Sequence, residues 1–347
     1  MVNSKTQSAA LPKREEIWYN TDRRKKAVLQ PKITWEEKFN HMDLEFKKLC
    51  AESVEGLTQY YEQRHDMTCD SVILDNFLWG NYYHIHYAVR DDRAVLYILN
   101  IFGKKYASLP VCRMEDMPRY FHELECYFNE NLNLPLEIYL ADEPAVEYLN
   151  LPPDRYTVTE LPDYRDYLYS AQALKTLSGK ALHKKKNNLN YFCKSYEGRY
   201  EYRPLCCSDR DDVWKFLQEW REKKGQEVEG HLDYEVEGIH RVLKNCSMLN
   251  VRMGGIYVDD RMEAFSIGSY NTREKMAIIH IEKANPDMRG LYQLINQQFL
   301  IHAFPEAEIV NREDDMGLPG LRKAKESYNP MGYAKKFRIC QIWPKES

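Results

Sequence analysis

The sequence predicts an α+β protein built from two copies of one strand-and-helix pattern. Each half of the chain contains a three-stranded meander with short turns, at residues 82–111 and 251–285. In both meanders an Asp-Asp-Arg turn separates strands of similar length, at residues 91–93 and 259–261, which lie 168 positions apart. A helix and a further strand follow each meander, so an internal duplication explains this order better than chance does.

The remaining elements follow from the spacing of apolar residues. In the first half this spacing predicts a helix within His41–Arg64, and an amphipathic helix over 114–133 precedes a short strand over 135–141. In the second half, helices over 209–224 and 233–246 precede the meander. The predicted organisation is a basic N-terminal arm at 1–35, a first domain at 36–170, and a second domain at 171–347 that carries the active site.

The composition excludes several classes of protein. With 347 residues, 44% of them apolar, the chain is long and apolar enough for two globular domains. It has no run of about 18 apolar residues and no apolar stretch typical of a secretory signal near its start, so we expect a cytoplasmic protein, with membrane-peripheral binding left open. None of the nine cysteines forms a Cys-x-x-Cys pair, which predicts free thiols. The net charge of −4 argues against a dedicated nucleic-acid-binding protein.

A basic segment stands out in this acidic chain. Between Gln172 and Leu205 there are eight Lys or Arg residues and two Glu residues, and "SGKALHKKKNNLNYF" predicts a helix that starts near Ser178 and Gly179. Two interpretations remain open, a solvated cationic helix or a site for a polyanion such as a tRNA acceptor end or an anionic lipid head group. On such a helix Lys180 and Lys184 would share a face. The candidate binding residues are Lys180, Lys184, Lys185, Lys186, Asn187 and Asn188.

A loop near the C-terminus concentrates charge of both signs. "AEIVN" predicts a strand that leads into Arg312 and three acids, Glu313, Asp314 and Asp315. A turn with Gly317, Pro319 and Gly320 follows, and then a short helix that starts at Leu321 and carries Arg322 and Lys325. Acids could orient or deprotonate an incoming amine while the cations hold a departing group. The alternative is a structural network of ion pairs that closes the loop.

Glu282 closes the third strand of the second meander. His280, two residues earlier, is predicted to lie on the same face. The pair could be a general base with a neighbour that positions it, or a surface Glu-His pair. His84 and His86 show the same alternation and are interpreted as structural. No third ligand lies nearby in the sequence, so we assign no metal.

Three stretches resemble motifs of the C-terminal domain of phosphatidylglycerol lysyltransferases: "LSGKALHKKKNNLNYF", "IEKANPDMRGLYQLINQQF" and "VNREDDMGLPGLRKAKESYNP". The resemblance covers roughly residues 40–340 and implies two tandem domains similar to GNAT acyltransferases, as in the Fem-type peptidyltransferases. It implies transfer of an aminoacyl group from aminoacyl-tRNA to a lipid head group or another amine or hydroxyl acceptor. The multi-span membrane domain of full lysyltransferases has no counterpart in this sequence. The candidate catalytic residues are Glu282, Asp314 and Asp315, and the candidate substrate-binding residues beyond the basic segment are Tyr292, Asn296, Arg312, Arg322, Lys325 and Tyr328.

The segment "NPDMRGLYQLINQQF" bears on the donor. Acetyl-CoA enzymes of this fold place a second small residue after the glycine, where the backbone approaches pyrophosphate. Here Arg289-Gly290 is followed by Leu291-Tyr292, which argues against acetyl-CoA. We therefore expect no cofactor, with aminoacyl-tRNA as co-substrate. An acyl-CoA-dependent N-acyltransferase and a non-catalytic ligand-binding protein remain the alternatives.

Overall fold

The computed structural model describes residues 44–224 and 231–343, so the predicted arm at 1–35 lies outside the described residues. The described residues form ten α-helices: α1 Ala51–Tyr61, α2 Ile73–Trp79, α3 Met117–Cys126, α4 Glu143–Leu149, α5 Ala171–Thr176, α6 His183–Ser195, α7 Arg210–Lys224, α8 His231–Asn245, α9 Leu291–Ala303 and α10 Pro319–Glu326. They also form fourteen strands: β1 Lys47–Lys48, β2 His86–Arg90, β3 Ala94–Ile101, β4 Lys104–Ala107, β5 Glu137–Asp142, β6 Tyr156–Glu160, β7 Asp166–Ser170, β8 Tyr200–Leu205, β9 Arg252–Val258, β10 Arg261–Asn271, β11 Met276–Ala284, β12 Ile309–Asn311, β13 Gly332–Ala334 and β14 Lys336–Gln341.

The strands form two mixed sheets of seven. The first sheet has the order β1-β2-β3-β4-β5-β14-β6, and the second has the order β13-β7-β12-β11-β10-β9-β8. Both predicted meanders are confirmed as consecutive antiparallel strands, β2 to β4 and β9 to β11. The turn between the first and second strands of each meander contains two Asp residues with positive φ, the conformation that a tight hairpin requires and that Asp tolerates. They are Asp91 and Asp92 in the first meander and Asp259 and Asp260 in the second.

The two halves of the chain exchange strands near the predicted domain boundary. Strand β7, which ends at residue 170, pairs with β12 and β13 in the second sheet. Strand β14, close to the C-terminus, inserts between β5 and β6 in the first sheet. The division at residue 170 stays a prediction, but neither sheet is built from a single stretch of sequence.

Three large hydrophobic cores hold the sheets and helices together. One packs α3 on the first sheet, with Tyr120 and Phe128 buried in it. Another packs α5, α6 and α9 on one face of the second sheet, around Phe299. The largest lies between the halves, where residues such as Phe77 of α2, Ile239 of α8 and Phe265 of β10 join one cluster. Because this core is shared, burial of apolar surface fixes the two sheets relative to each other.

Two further features concern the chain as a whole. Within the residues that the structure describes, no helix has the length and apolar character needed to cross a membrane. Cys207 and Cys246 form a disulfide, so the prediction that all nine cysteines are free thiols is wrong for this pair. The pairing brings the start of α7 next to the end of α8, a contact between segments 39 residues apart that cysteine spacing alone does not reveal.

Candidate active site

The parallel strands β11 and β12 separate after a short pairing, and we call the gap between them the cleft. β11 and β12 pair over only three positions, Met276 to Ile278 against Ile309 to Asn311. β11 continues to Ala284 while the chain leaves β12 at Asn311. Glu282 and Arg312 occupy the gap, and Nη2 of Arg312 donates to Oε1 of Glu282 over 2.8 Å. Both side chains are largely buried, with 9% and 14% exposure respectively, so the ion pair is shielded from solvent screening.

A β-bulge sends His280 to the opposite side of the sheet from Glu282. Against β10, Ile281 pairs with Ile267 but Ile279 pairs with Gly268, which leaves His280 as the extra residue. As a result Ile279 packs in the core around α9 whereas Ile281 packs in the core between the halves. The prediction that His280 and Glu282 share a face is therefore wrong, because the bulge at His280 interrupts the regular alternation of side chains between the two faces of the strand.

Residues of α9 and of the segment after α10 surround the Glu282–Arg312 pair. Asn296 of α9 donates from Nδ2 to Oε2 of Glu282 over 2.8 Å. The guanidinium of Arg312 lies 4.7 Å from the ring centroid of Tyr328, which follows α10. Gln293, one turn before Asn296, donates to the hydroxyl of Tyr328 over 3.1 Å. Burial raises the pKa of Tyr328, so its phenol stays protonated.

Two polar atoms in this cleft have no hydrogen-bond partner among the described residues. One is Nη1 of Arg312, a donor, and the other is Oδ1 of Asn296, an acceptor. Both are buried, where a missing hydrogen bond costs about 1–3 kcal/mol. Beside a buried carboxylate, an unpaired donor and an unpaired acceptor would be satisfied by a ligand that carries a carbonyl and an amine.

The basic segment contributes one lysine to the cleft. Nζ of Lys185 lies 4.0 Å from the ring centroid of Tyr328, and burial together with Arg312 lowers the pKa of Lys185. Lys184 and Lys186 are exposed on the same helix. The helix begins at His183 and not near Ser178, so Lys180 precedes it, and the prediction that Lys180 and Lys184 share a helical face is wrong. Leu177 and Gly179 have positive φ, which ends α5 and prevents a continuous helix.

Most of the uncompensated cations of the basic segment are the lysines at the start of α6. Among the described residues, no carboxylate forms an ion pair with Lys180, Lys184, Lys185 or Lys186. Of the other cations in the segment, Arg199 pairs with Asp259, Arg203 pairs with Glu201 and Asp260, Lys175 donates to the backbone carbonyls of Pro305 and Ala307, and Lys194 is exposed without an ion pair among the described residues. Most of the unpaired positive charge of the segment therefore lies at the start of α6, next to the cleft.

Helix α6 also covers the N-terminus of α9. Gly290 has a φ of +94°, and a side-chain Cβ there would come within 2.1 Å of the backbone oxygen of Asn188. Oδ1 of Asn188 accepts from Nε of Arg289 over 3.1 Å, whereas Asn187 is exposed and contacts His183. Tyr292 is half-buried and packs against the apolar core around α9. Of these three predicted binding residues, only Asn187 has a fully exposed side chain.

Asp315 and Arg322 are joined to each other and not to the cleft. Arg322 donates to both carboxylate oxygens of Asp315, over 2.8 and 2.9 Å, and to Oδ1 of Asp163 over 2.6 Å. The hydroxyl of Tyr167 donates to Oδ2 of Asp315 over 2.5 Å. Burial alone would raise the pKa of Asp315, but the hydrogen bonds from Arg322 and Tyr167 outweigh it and lower the pKa. This geometry is that of the structural alternative, a network that closes the loop.

Lys325 holds the backbone of the same loop in place through hydrogen bonds. Its ammonium donates to the backbone carbonyl of Arg312 over 2.6 Å and to that of Asp314. The side chain is buried, and desolvation lowers its pKa. Asp314 is buried as well, and its Oδ1 accepts from the backbone N–H of Met316 over 2.9 Å. These contacts fix the backbone from which Arg312 projects into the cleft.

Sequence reasoning missed several residues that shape the site. Gln293 lies three positions before Asn296, and this spacing, which places both amides on one face of the helix, was an available signal. Tyr169, whose ring lies 5.9 Å from the Arg312 guanidinium, and Tyr167 come from β7. Asp163 lies before that strand. Nothing in the sequence places β7 beside β12, since the pairing joins segments about 140 residues apart.

Comparison with known proteins places the chain among aminoacyltransferase-like domains. The profile of the family "Phosphatidylglycerol lysyltransferase, C-terminal" matches residues 68–340. A conserved protein of unknown function from Bacteroides thetaiotaomicron has a similar crystal structure, with a TM-score of 0.80, 24% identity, and coverage of 86% of this chain and 100% of that chain. The structure of L-PGS from Bacillus licheniformis superposes with a TM-score of 0.60 at 14% identity, covering 82% of this chain and 91% of that chain.

A relative in sequence is an uncharacterised protein from Mycoplasmoides gallisepticum. It is 29% identical over 217 residues, which cover 61% of this chain and 68% of the relative. Together with the profile match, these similarities confirm the predicted fold class, α+β with two tandem GNAT-like domains.

Proposed function

Since the chain belongs to the family of phosphatidylglycerol lysyltransferase C-terminal domains, we propose that it transfers an aminoacyl group from a charged tRNA to an amine or hydroxyl acceptor. The observation that carries the proposal is that two polar atoms beside Glu282, Nη1 of Arg312 and Oδ1 of Asn296, have no hydrogen-bond partner among the described residues. An aminoacyl ester has a carbonyl oxygen that can accept from Nη1 of Arg312. Its α-ammonium group can donate to Oδ1 of Asn296.

The cleft supplies the groups that the reaction requires. The acceptor's nitrogen or oxygen attacks the ester carbonyl carbon, and the bond between that carbon and the ribose oxygen breaks. Glu282 takes the proton from the attacking group, and the proton finally resides on the ribose hydroxyl that departs. Arg312 stabilises the negative charge that develops on the carbonyl oxygen. Because Lys325 and Asn296 hold Arg312 and Glu282 in position, little reorganisation is needed during the reaction.

The unpaired lysines suit the tRNA end of the donor. Lys184 and Lys186 are exposed beside the cleft, and Lys185 reaches the ring of Tyr328. Phosphates of the acceptor stem would gain from this uncompensated charge. An anionic lipid head group, as acceptor, would be attracted by the same charge.

A transfer assay with matched variants tests both the function and the site. Purified protein is incubated with tRNAs charged with labelled amino acids, and label is followed into lipid and peptide fractions. We expect transfer by the wild type and a loss of about 100-fold or more for Glu282→Gln, the range typical of a lost general base. Glu137→Gln is the control, because Glu137 forms a comparably buried pair with Arg338 in the other sheet.

The outcomes separate the two claims. Absence of label transfer from every charged tRNA to either fraction would refute the function. Transfer by Glu282→Gln at the wild-type rate would leave the function in place but move the active site elsewhere.

We infer that coenzyme A is not the donor. Support comes from α6, whose Asn188 carbonyl packs against Gly290 at the start of α9, where a pyrophosphate would need free backbone N–H groups. Tyr292, the residue that replaces a small one, packs beside it.

A further inference from the structure

A second cluster of polar side chains lies on the other face of β11. It joins Asp75 of α2, His280 of the bulge and Glu313, two residues after β12. Nδ1 of His280 lies 2.9 Å from Oε1 of Glu313 and 3.9 Å from Oδ1 of Asp75. The imidazole nitrogen and one oxygen from each carboxylate all lie within 4.8 Å of one another.

The other ring nitrogen of His280 is fixed by Ser269. Nε2 lies 2.7 Å from Oγ of Ser269 on the neighbouring strand β10. When Nε2 carries the proton and donates it to this hydroxyl, the lone pair of Nδ1 points towards the two carboxylates. The side chain of His280 has no solvent exposure. A neutral imidazole with its second N–H donated to a protein oxygen is the arrangement found in metal-binding histidines.

Asp75 lacks a partner of its own. The residue is only 8% exposed, yet no N–H or O–H group among the described residues donates to its carboxylate. Nδ1 of His280 lies 3.9 Å from Oδ1 of Asp75, which is beyond hydrogen-bond distance. A buried carboxylate that faces a second carboxylate and an imidazole nitrogen is stabilised either by taking up a proton or by a cation that lies between the three groups.

The lysines nearby do not supply that cation. The ammonium of Lys336 lies 2.9 Å from the carboxylates of both Asp70 and Asp166 and 3.1 Å from Sγ of Cys69. Its positive charge is therefore already balanced by Asp70 and Asp166. Lys325 donates to two backbone carbonyls instead. Neither forms an ion pair with Asp75 or Glu313. The adjacent group of Cys69, Asp70 and Asp75 is partly served by the ammonium of Lys336, so we do not extend the site to Cys69 or Asp70.

We propose that Asp75, His280 and Glu313 bind a divalent transition-metal ion of the zinc class through Oδ1, Nδ1 and Oε1. One imidazole and two carboxylates suit zinc better than magnesium or calcium, which prefer oxygen ligands alone. Three protein ligands leave one coordination position open. The Asp75 and Glu313 side chains retain 12% and 19% exposure, which gives the ion a route in. The ion would tie α2 of the first half to β11 and the loop after β12.

Zinc itself is the probe for the experiment. The wild type is titrated with Zn²⁺ by calorimetry after treatment with a chelator, and zinc X-ray absorption is recorded on the complex. We expect one equivalent bound, with nitrogen and oxygen neighbours at about 2.0–2.2 Å and no sulfur at about 2.3 Å. The absence of sulfur separates this site from the exposed thiols of Cys50 and Cys206.

Variants assign the binding to the three residues. Asp75→Asn and His280→Gln should each weaken zinc binding by more than about 100-fold, and Ser269→Ala, which removes no ligand, by about 10–100-fold. The exposed His240 is changed to Gln as a control for adventitious binding, and this variant should bind like the wild type. Circular dichroism shows whether each variant is folded, and Ser269→Ala provides the test if either ligand variant does not fold.

Three results would overturn the proposal. They are failure of the wild type to bind zinc in the calorimeter, a sulfur neighbour in the absorption spectrum, and zinc binding by folded variants equal to that of the wild type. In the first case the same groups form a hydrogen-bonded chain from Ser269 through His280 to Glu313 and hold no metal. The test does not depend on aminoacyl transfer, because it measures binding alone.

Discussion

Replacing Asp315, Arg322 and Asp163 in turn should weaken the fold in a graded order. Asp315 is the centre of the network: its side chain is 2% exposed, and it accepts from Arg322, Tyr167 and the backbone N–H of Gly317. Arg322 and Asp163 are more open, with 37% and 43% exposure. The three positions therefore sample one ion-pair network from its buried to its exposed end.

The expected magnitudes follow from burial and from the number of hydrogen bonds that each substitution removes. Breaking a buried ion pair costs about 3–5 kcal/mol, and because Arg322 is partly exposed we expect about 3 kcal/mol of unfolding free energy for Asp315→Asn. Arg322→Lys keeps the charge but cannot make the two-pronged contact, which we expect to cost about 1–2 kcal/mol. Asp163→Asn removes an exposed partner and should cost less than about 1 kcal/mol.

Urea denaturation of the three variants and the wild type, followed by circular dichroism, measures this order. Aminoacyl transfer is measured on the same proteins without urea. We expect Arg322→Lys to retain its activity, since none of its contacts reaches the Glu282–Arg312 cleft. A variant with wild-type stability and no activity would refute the reasoning and restore the hypothesis that this loop is catalytic.

The pH dependence of the Asp315 contribution has a definite sign. The folded state lowers the pKa of Asp315, so its stabilising effect is fully present above the unfolded pKa of about 4 and is lost as the pH falls through the folded value. The difference in stability between wild type and Asp315→Asn should therefore be constant from pH 6 to pH 8 and should shrink below about pH 4. A difference that grows on acidification would contradict the assignment of a lowered pKa.

Two other predictions concern ligands. Changing Lys180, Lys184, Lys185 and Lys186 together to Gln should weaken tRNA binding and flatten its dependence on salt, because the salt slope falls by about one for each phosphate that is no longer neutralised; an unchanged affinity and slope in filter binding would favour a solvated helix. Acetyl-CoA at micromolar concentration should give no heat of binding, because Asn188 packs on Gly290 where the pyrophosphate would lie; a clear calorimetric signal would favour an acyl-CoA-dependent enzyme.

Local patterns predicted much of the fold. The two meanders, their Asp-Asp turns and the helices α7 and α8 were evident because alternation and helical spacing are encoded within short stretches. The exchange of β7 and β14 between the sheets was not, because strand partners far apart in sequence are chosen by the packing of the whole molecule. The start of α6 was displaced by residues with positive φ at 177 and 179.

Local sequence motifs also predicted part of the candidate site. Glu282, Asn296, Arg312 and Tyr328 were all named from motifs, and the structure brings them together in the cleft. The bulge that turns His280 away arises from a mismatch of one residue between β10 and β11, which neither strand shows alone. Asp75 lies 205 positions before His280, so no spacing rule could reveal it as a neighbour.

The most direct test of the account is a single-turnover measurement on Arg312→Lys. Charged tRNA is mixed with excess protein and acceptor, and the loss of the aminoacyl ester is followed over time. Arg312→Lys should lower the rate by at least about 100-fold, the effect expected when a donor to the developing oxyanion is removed, with tRNA affinity unchanged. Arg338→Lys, which alters a matched pair with Glu137 in the first sheet, should react at the wild-type rate. If folded Arg312→Lys transfers the aminoacyl group as fast as the wild type, the cleft between β11 and β12 is not the active site.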